Sequence, residues 1–113
     1  MALALNNYVT VTSIGTTNSV GIYTAPAGYN AVVLCAQAVN LSANSHDVTF
    51  AHERTTSGIA VTTYSSYKRP IATHDTLELT TGKLTLNPGD IAKVSTSTEN
   101  DIHIIFTVLE TLI

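Results

Sequence analysis

A chain of 113 residues that is 44% hydrophobic and only 12% charged has the size for one domain around one core, with hydroxyls and amides supplying most of its polar surface. Five Lys or Arg against eight Asp or Glu leave a formal charge of −3, so no positive field gathers phosphates and nucleic acid is not an expected partner. The apolar run from Ala31 to Val39 is about half as long as a bilayer-crossing helix, Met1-Ala-Leu-Ala-Leu-Asn6 lacks the basic start of a signal peptide, and the lone Cys35 excludes an internal disulfide; neither a membrane nor export is expected, and synthesis in a reducing cytoplasm is.

Apolar residues recur with period two, and turn residues interrupt them at short intervals. Tyr8 to Ile14 alternates Val and Thr and reads as a strand, followed by a turn at Gly15-Thr-Thr-Asn18. Val20 to Thr24 is a second strand, ended by Ala25-Pro-Ala-Gly28, because Pro lacks a ladder donor and Gly accepts positive φ. Asn30 to Asn40 is apolar on both faces, which predicts a central strand covered on both sides. After the polar loop Ser42 to Ser45, strands at Val48 to Glu53 and Ile59 to Tyr64 flank Arg54-Thr-Thr-Ser-Gly58 as a hairpin connection, and Lys68-Arg69-Pro70 reads as a solvated loop. Leu77 to Thr80, a tight turn at Thr81-Gly82 and Lys83 to Leu86 follow. Asn87-Pro-Gly-Asp90 predicts a type II turn into a strand from Ile91 to Ser95, and Ile102 to about Leu112 forms the last strand, again apolar on both faces and in need of cover from the sandwich or from a neighbouring copy. The pattern predicts an all-β, single-domain antiparallel sandwich of jelly-roll type with eight or nine strands, and leaves Met1 to Asn7 free to act as an N-terminal arm.

Residues that could carry chemistry are few. His46 and His52 would lie roughly 20 Å apart along one strand, too far to share an ion. Asp101 and His103 share a strand face and His74-Asp75 lies in a loop, so a metal site would need several strands; isolated surface or interface histidines are the expected case. Cys35 stands in the most apolar run and reads as a small buried hydrophobe. Gly82-Lys83 fails as the end of a phosphate-binding loop, since Leu77 and Leu84 stand where that motif needs Gly and Ser or Thr. No catalytic residue, metal ligand or cofactor is expected. Tyr64, Tyr67, Lys68 and Arg69 bring interface-prone side chains into one short segment, and the apolar end Leu112-Ile113 favours a docked terminus; these six are the candidate interface.

Three stretches, Tyr23-Thr-Ala-Pro-Ala-Gly-Tyr-Asn-Ala-Val-Val-Leu34, Gly82-Lys-Leu-Thr-Leu-Asn-Pro-Gly-Asp90 and Val108-Leu-Glu110, resemble a family of small virion structural proteins of tailed bacteriophages, cyanophages included. The family's second Pro/Gly turn before the Gly-Lys-Leu motif is replaced here by Pro70-Ile-Ala-Thr-His-Asp-Thr76, which has no Gly. The resemblance implies a β-sandwich on the capsid surface of the virion, a decoration or cement protein that binds the major capsid protein and copies of itself, as a dimer or trimer, and stabilises the shell. A tail, neck or baseplate component is the alternative, and a carbohydrate- or receptor-binding module a further one; a metal-dependent enzyme comes last.

Overall fold

The computed structural model describes residues 6–80 and 84–112, and every regular element among them is a strand. These are β1 (Asn6–Ile14), β2 (Val20–Thr24), β3 (Tyr29–Asn40), β4 (His46–Thr56), β5 (Ile59–Ile71), β6 (Thr76–Glu78), β7 (Leu84–Leu86), β8 (Ile91–Thr96) and β9 (Ile102–Leu112). Each overlaps a strand that the alternation predicts.

Two antiparallel sheets result. The first runs β1-β9-β3-β6, with β7 also paired to β3, and the second runs β2-β8-β4-β5. Counting β6 and β7 as one interrupted strand along β3, this is the strand order of a jelly roll, the type of sandwich expected from sequence, though alternation along the chain does not fix the order itself. Turn chemistry places the corners. Tyr29 N–H donates to the Pro26 carbonyl at 3.2 Å and Asp90 N–H to the Asn87 carbonyl at 2.9 Å, and Gly89, at φ 87°, occupies the left-handed position that a type II turn requires. The two corners are bonded together, Ala25 N–H to the Asp90 carbonyl and Gly89 N–H to the Ala25 carbonyl, both at 2.9 Å.

The core is what period two predicts. Val33, Ala36 and Ala38 of β3, Val48 and Phe50 of β4, Ala92 and Val94 of β8, and Ile102, Ile104, Phe106 and Val108 of β9 all point between the sheets and are buried. Phe106 lies at its centre, with its ring 5.9 Å from Phe50 across the sandwich and 5.7 Å from Tyr23. Each large side chain removed from water stabilises the fold by about 1.5–3 kcal/mol. One buried polar residue closes an end of this core: Asn40 donates to the carbonyls of Asn44 (2.8 Å) and Ile71 (3.1 Å) and accepts from Ser42 N–H (2.9 Å), satisfying backbone that two loops leave unpaired.

Several expectations change. β3 and β9 are apolar on both faces, but the sandwich covers only one: Leu34 and Ile105 remain 44% and 41% exposed, and Cys35 is half-buried instead of buried. The β4–β5 connection is only Ser57-Gly58, both at positive φ (54° and 80°), as a type I′ turn requires, so β4 continues through Arg54 to Thr56. β5 continues past Tyr64 to Ile71, which makes Lys68, Arg69 and Pro70 strand residues and not a loop. Asn6 and Asn7 pair with Thr111 and Glu110 of β9 and so belong to the sheet, not to an arm. The rest of that arm, the Thr81-Gly82 turn with Lys83, and Ile113 lie outside the described residues.

Candidate functional site

In a regular strand, residues three apart point to opposite faces, so Tyr64 and Tyr67 would be separated by the sheet. β5 breaks that rule. Its pairing with β4 runs Ala51 with Tyr64, Phe50 with Ser66 and Val48 with Arg69, so β5 carries extra residues at two successive bulges. Lys68 takes the left-handed backbone needed for the second, at φ 47°, and its N–H is held by Thr49 Oγ1 at 3.0 Å. The bulges bring both tyrosines onto the outer face of the second sheet, with ring centroids 4.8 Å apart in a T-shaped pair and Lys68 Nζ 5.4 Å from the Tyr67 ring. Arg69 leaves the cluster, donating to the Glu78 carbonyl at 3.4 Å.

Beside the rings lies an open cleft of about 340 Å³. Ala51, Thr49 and Ser95 form its floor, because small side chains sit where the outward rows of β4 and β8 meet, and Thr62, Ser19 and Lys93 complete the rim. Lys93 is paired with Glu53 at 2.9 Å.

The outer face of the first sheet differs in kind. Its cross-strand rows are Tyr8-Leu109-Val32, Thr10-Thr107-Cys35, Thr12-Ile105-Gln37 and Ile14-His103-Val39, with Leu34 in the bulge between Val33 and Cys35. None of these residues of β1, β9 and β3 is an acid, Lys or Arg; the third row ends on Glu78 of β6, at the edge of the face. Tyr8 (72%) and Ile14 (52%) are its most exposed apolar members. Leu112, at the end of β9, pairs with Tyr29, so it belongs to this sheet and is remote from the tyrosine pair; the candidate interface falls on two surfaces.

Sequence reasoning did not find the buried Asp90. The register that sets His52 against Ala92 and Glu53 against Ile91 carries β4 past the Asn87–Asp90 turn. There the carboxylate accepts from His52 Nε2 (2.8 Å), Arg54 Nη2 (2.8 Å) and Asn87 N–H (2.9 Å). Burial on its own would raise this carboxyl's pKa; the bonds from Arg54, His52 and Asn87, with the Arg54 charge, outweigh it and hold the group at about 2. His52 is therefore a bonded partner of Asp90 and not an isolated surface histidine. A carboxylate so held is a clamp and a poor proton acceptor. His46 lies at the other end of β4, 3.9 Å from Asp101, and among the described residues no three His, Cys, Asp or Glu side chains converge as a metal-binding group.

No protein-family model matches the chain, and no curated protein does. Among solved structures, a chain from work entitled "Bacillus endospore appendages form a novel family of disulfide-linked pili" is similar over 100% of this chain and 97% of that one, with a TM-score of 0.51 and 15% identity. At that identity the likeness shows a shared all-β sandwich fold.

Proposed function

We propose that the protein is a non-catalytic structural subunit that works in many copies, with the outer face of its first sheet laid against a neighbour. The observation that carries this is the uncharged, half-apolar surface of β1, β9 and β3, a face of roughly 14 by 30 Å from strand spacing and rise. Apart from Glu78 at the β6 edge, this face carries no acid, Lys or Arg, so its β1, β9 and β3 part meets its own two-fold copy without like-charge repulsion, which favours a second copy of this chain as the occupant. The edge strand β1, Asn6 to Ile14, also lacks the Lys, Pro or acid with which monomeric sheets blunt their edges.

The more specific role we propose is decoration of a tailed-phage head, bound to the major capsid protein on the outside of the shell. It rests on the sequence resemblance. Described residues of all three stretches meet at one end of the sandwich: Ala25 bonds to Asp90 and Gly89, and Tyr23 Oη donates to Glu110 at 2.5 Å. They therefore specify a corner of the fold, and speak for the architecture more directly than for the role. A second reading, a subunit of an extracellular fibre, is favoured by the structural likeness to a pilus protein. Cys35 is the one cysteine in this sequence and can link one neighbour, not two, so a fibre of this chain would be held by non-covalent contacts. Cryo-EM of particles carrying the protein separates these readings. Hundreds of copies over the head support decoration, six or twelve at the neck or tail point to a connector, and free filaments to a fibre; a protein found only as a soluble monomer overturns all three.

A further inference from the structure

We infer that the cleft beside Tyr64 and Tyr67 binds an acidic sugar unit of a glycan, such as a uronic acid. This holds independently of whether the protein coats a shell or builds a fibre. The cleft, about 340 Å³, sits at the small end of ligand sites and suits one or two pyranose rings. Its wall is a pair of aromatic rings held at a fixed angle, a surface for the C–H face of a sugar. Its floor and rim carry the hydroxyls of Ser19, Thr49, Thr62 and Ser95, short donors and acceptors that suit a polyhydroxylated ligand.

The charges at the cleft are Lys68, Lys93 and Glu53. Glu53 takes up Lys93, whereas Lys68 is engaged only with the Tyr67 ring and with solvent, so its ammonium is the group that meets a ligand carboxylate. The bulge that places it is costly for a side chain with a Cβ. Lys68 at φ 47° stands where Gly would be relaxed; the first bulge, before Ser66, sets both rings on one face, and the strain at Lys68 belongs to the second, which brings this ammonium beside the Tyr67 ring.

An acidic peptide is the competing occupant, and β5 disfavours it. A peptide strand adds along a regular edge, but here the edge is bulged, and the Ser65 and Ser66 hydroxyls are turned to the Leu79 carbonyl, which lies along it.

The test is a titration of the ¹⁵N-labelled full chain with tri-galacturonic acid and with its methyl ester, which keeps the sugar and removes the charge. We expect amide shifts at Thr49, Ala51, Lys68, Lys93 and Ser95, with the acid bound at least about ten-fold more tightly than the ester and the difference fading as salt rises. Lys68→Gly removes the ammonium and relieves the backbone, so it folds with a thermal midpoint at or above the parent's while the preference for the acid disappears. Tyr67→Ala weakens acid and ester alike. No shifts at about 10 mM ligand, where a millimolar Kd would be evident, overturn the inference. So do shifts elsewhere on the surface, equal binding of acid and ester, or tighter binding of tri-glutamate at the same amides, which would make the occupant a peptide.

Discussion

The two sheets present alike inner faces and unlike outer ones. Inside, Phe50, Val94, Phe106 and Val108 interdigitate whichever sheet they come from. Outside, the first sheet shows Tyr8, Leu34, Ile105 and Leu109 among threonines, whereas the second shows Thr49, Lys93 and Ser95 beside the Tyr64 and Tyr67 rings. A solvated jelly roll needs only one apolar set per strand. β3 and β9 carry two, and the second set has no full cover among the described residues, so it is explained by assembly better than by folding.

Substitutions separate these roles, beginning with the largest expected effect. Phe106→Ala or Phe50→Ala empties the shared interior and should cost about 3–5 kcal/mol in chemical denaturation. Asn40→Ala, which leaves the Asn44 and Ile71 carbonyls and the Ser42 amide short of a partner at the end of the core, should cost about 1–3 kcal/mol by the same measurement. Asp90→Ala strands the His52 and Arg54 donors and the Asn87 amide, with a cost of the same order, again about 1–3 kcal/mol. The same clamp has a pH signature. Because the folded state depresses the Asp90 pKa from 3.8 to about 2, its stabilisation is present above about pH 4 and is lost as pH falls toward 2; an Asp90→Asn variant should show a shallower acid limb in a pH series of thermal melts. Smallest in stability is Ile105→Asp on the outer face of the first sheet, expected to cost about 1 kcal/mol in the isolated subunit, from lost apolar cover and the low strand preference of Asp, yet able to abolish assembly.

The inner faces were legible in the sequence because burial between two sheets imposes a strict period of two, and Pro-Gly pairs mark the corners at Gly28 and Gly89. The tyrosine cleft was not. Its residues are visible as a cluster, but the common face of the rings depends on a bulge between Tyr64 and Ser66, and the place of Lys68 beside them on a second bulge, and no Gly announces either. The Asp90 clamp was hidden for a different reason: its partners His52 and Arg54 lie 38 and 36 residues away in the chain and arrive through the register of β4 on β8. The two-sided apolar character of β3 and β9 was plain; the expectation that went astray was that the sandwich covers both faces of β3, whereas for β9 a neighbouring copy was one of the two covers the sequence allowed.

Sedimentation velocity of the wild-type chain beside Ile105→Asp, across a concentration series and with circular dichroism to establish that both are folded, tests the assembly face most directly. The account predicts that the wild type forms dimers or larger species and that the folded variant sediments as a monomer. A wild type that stays monomeric at every concentration, or a variant that assembles as the parent does, would contradict it.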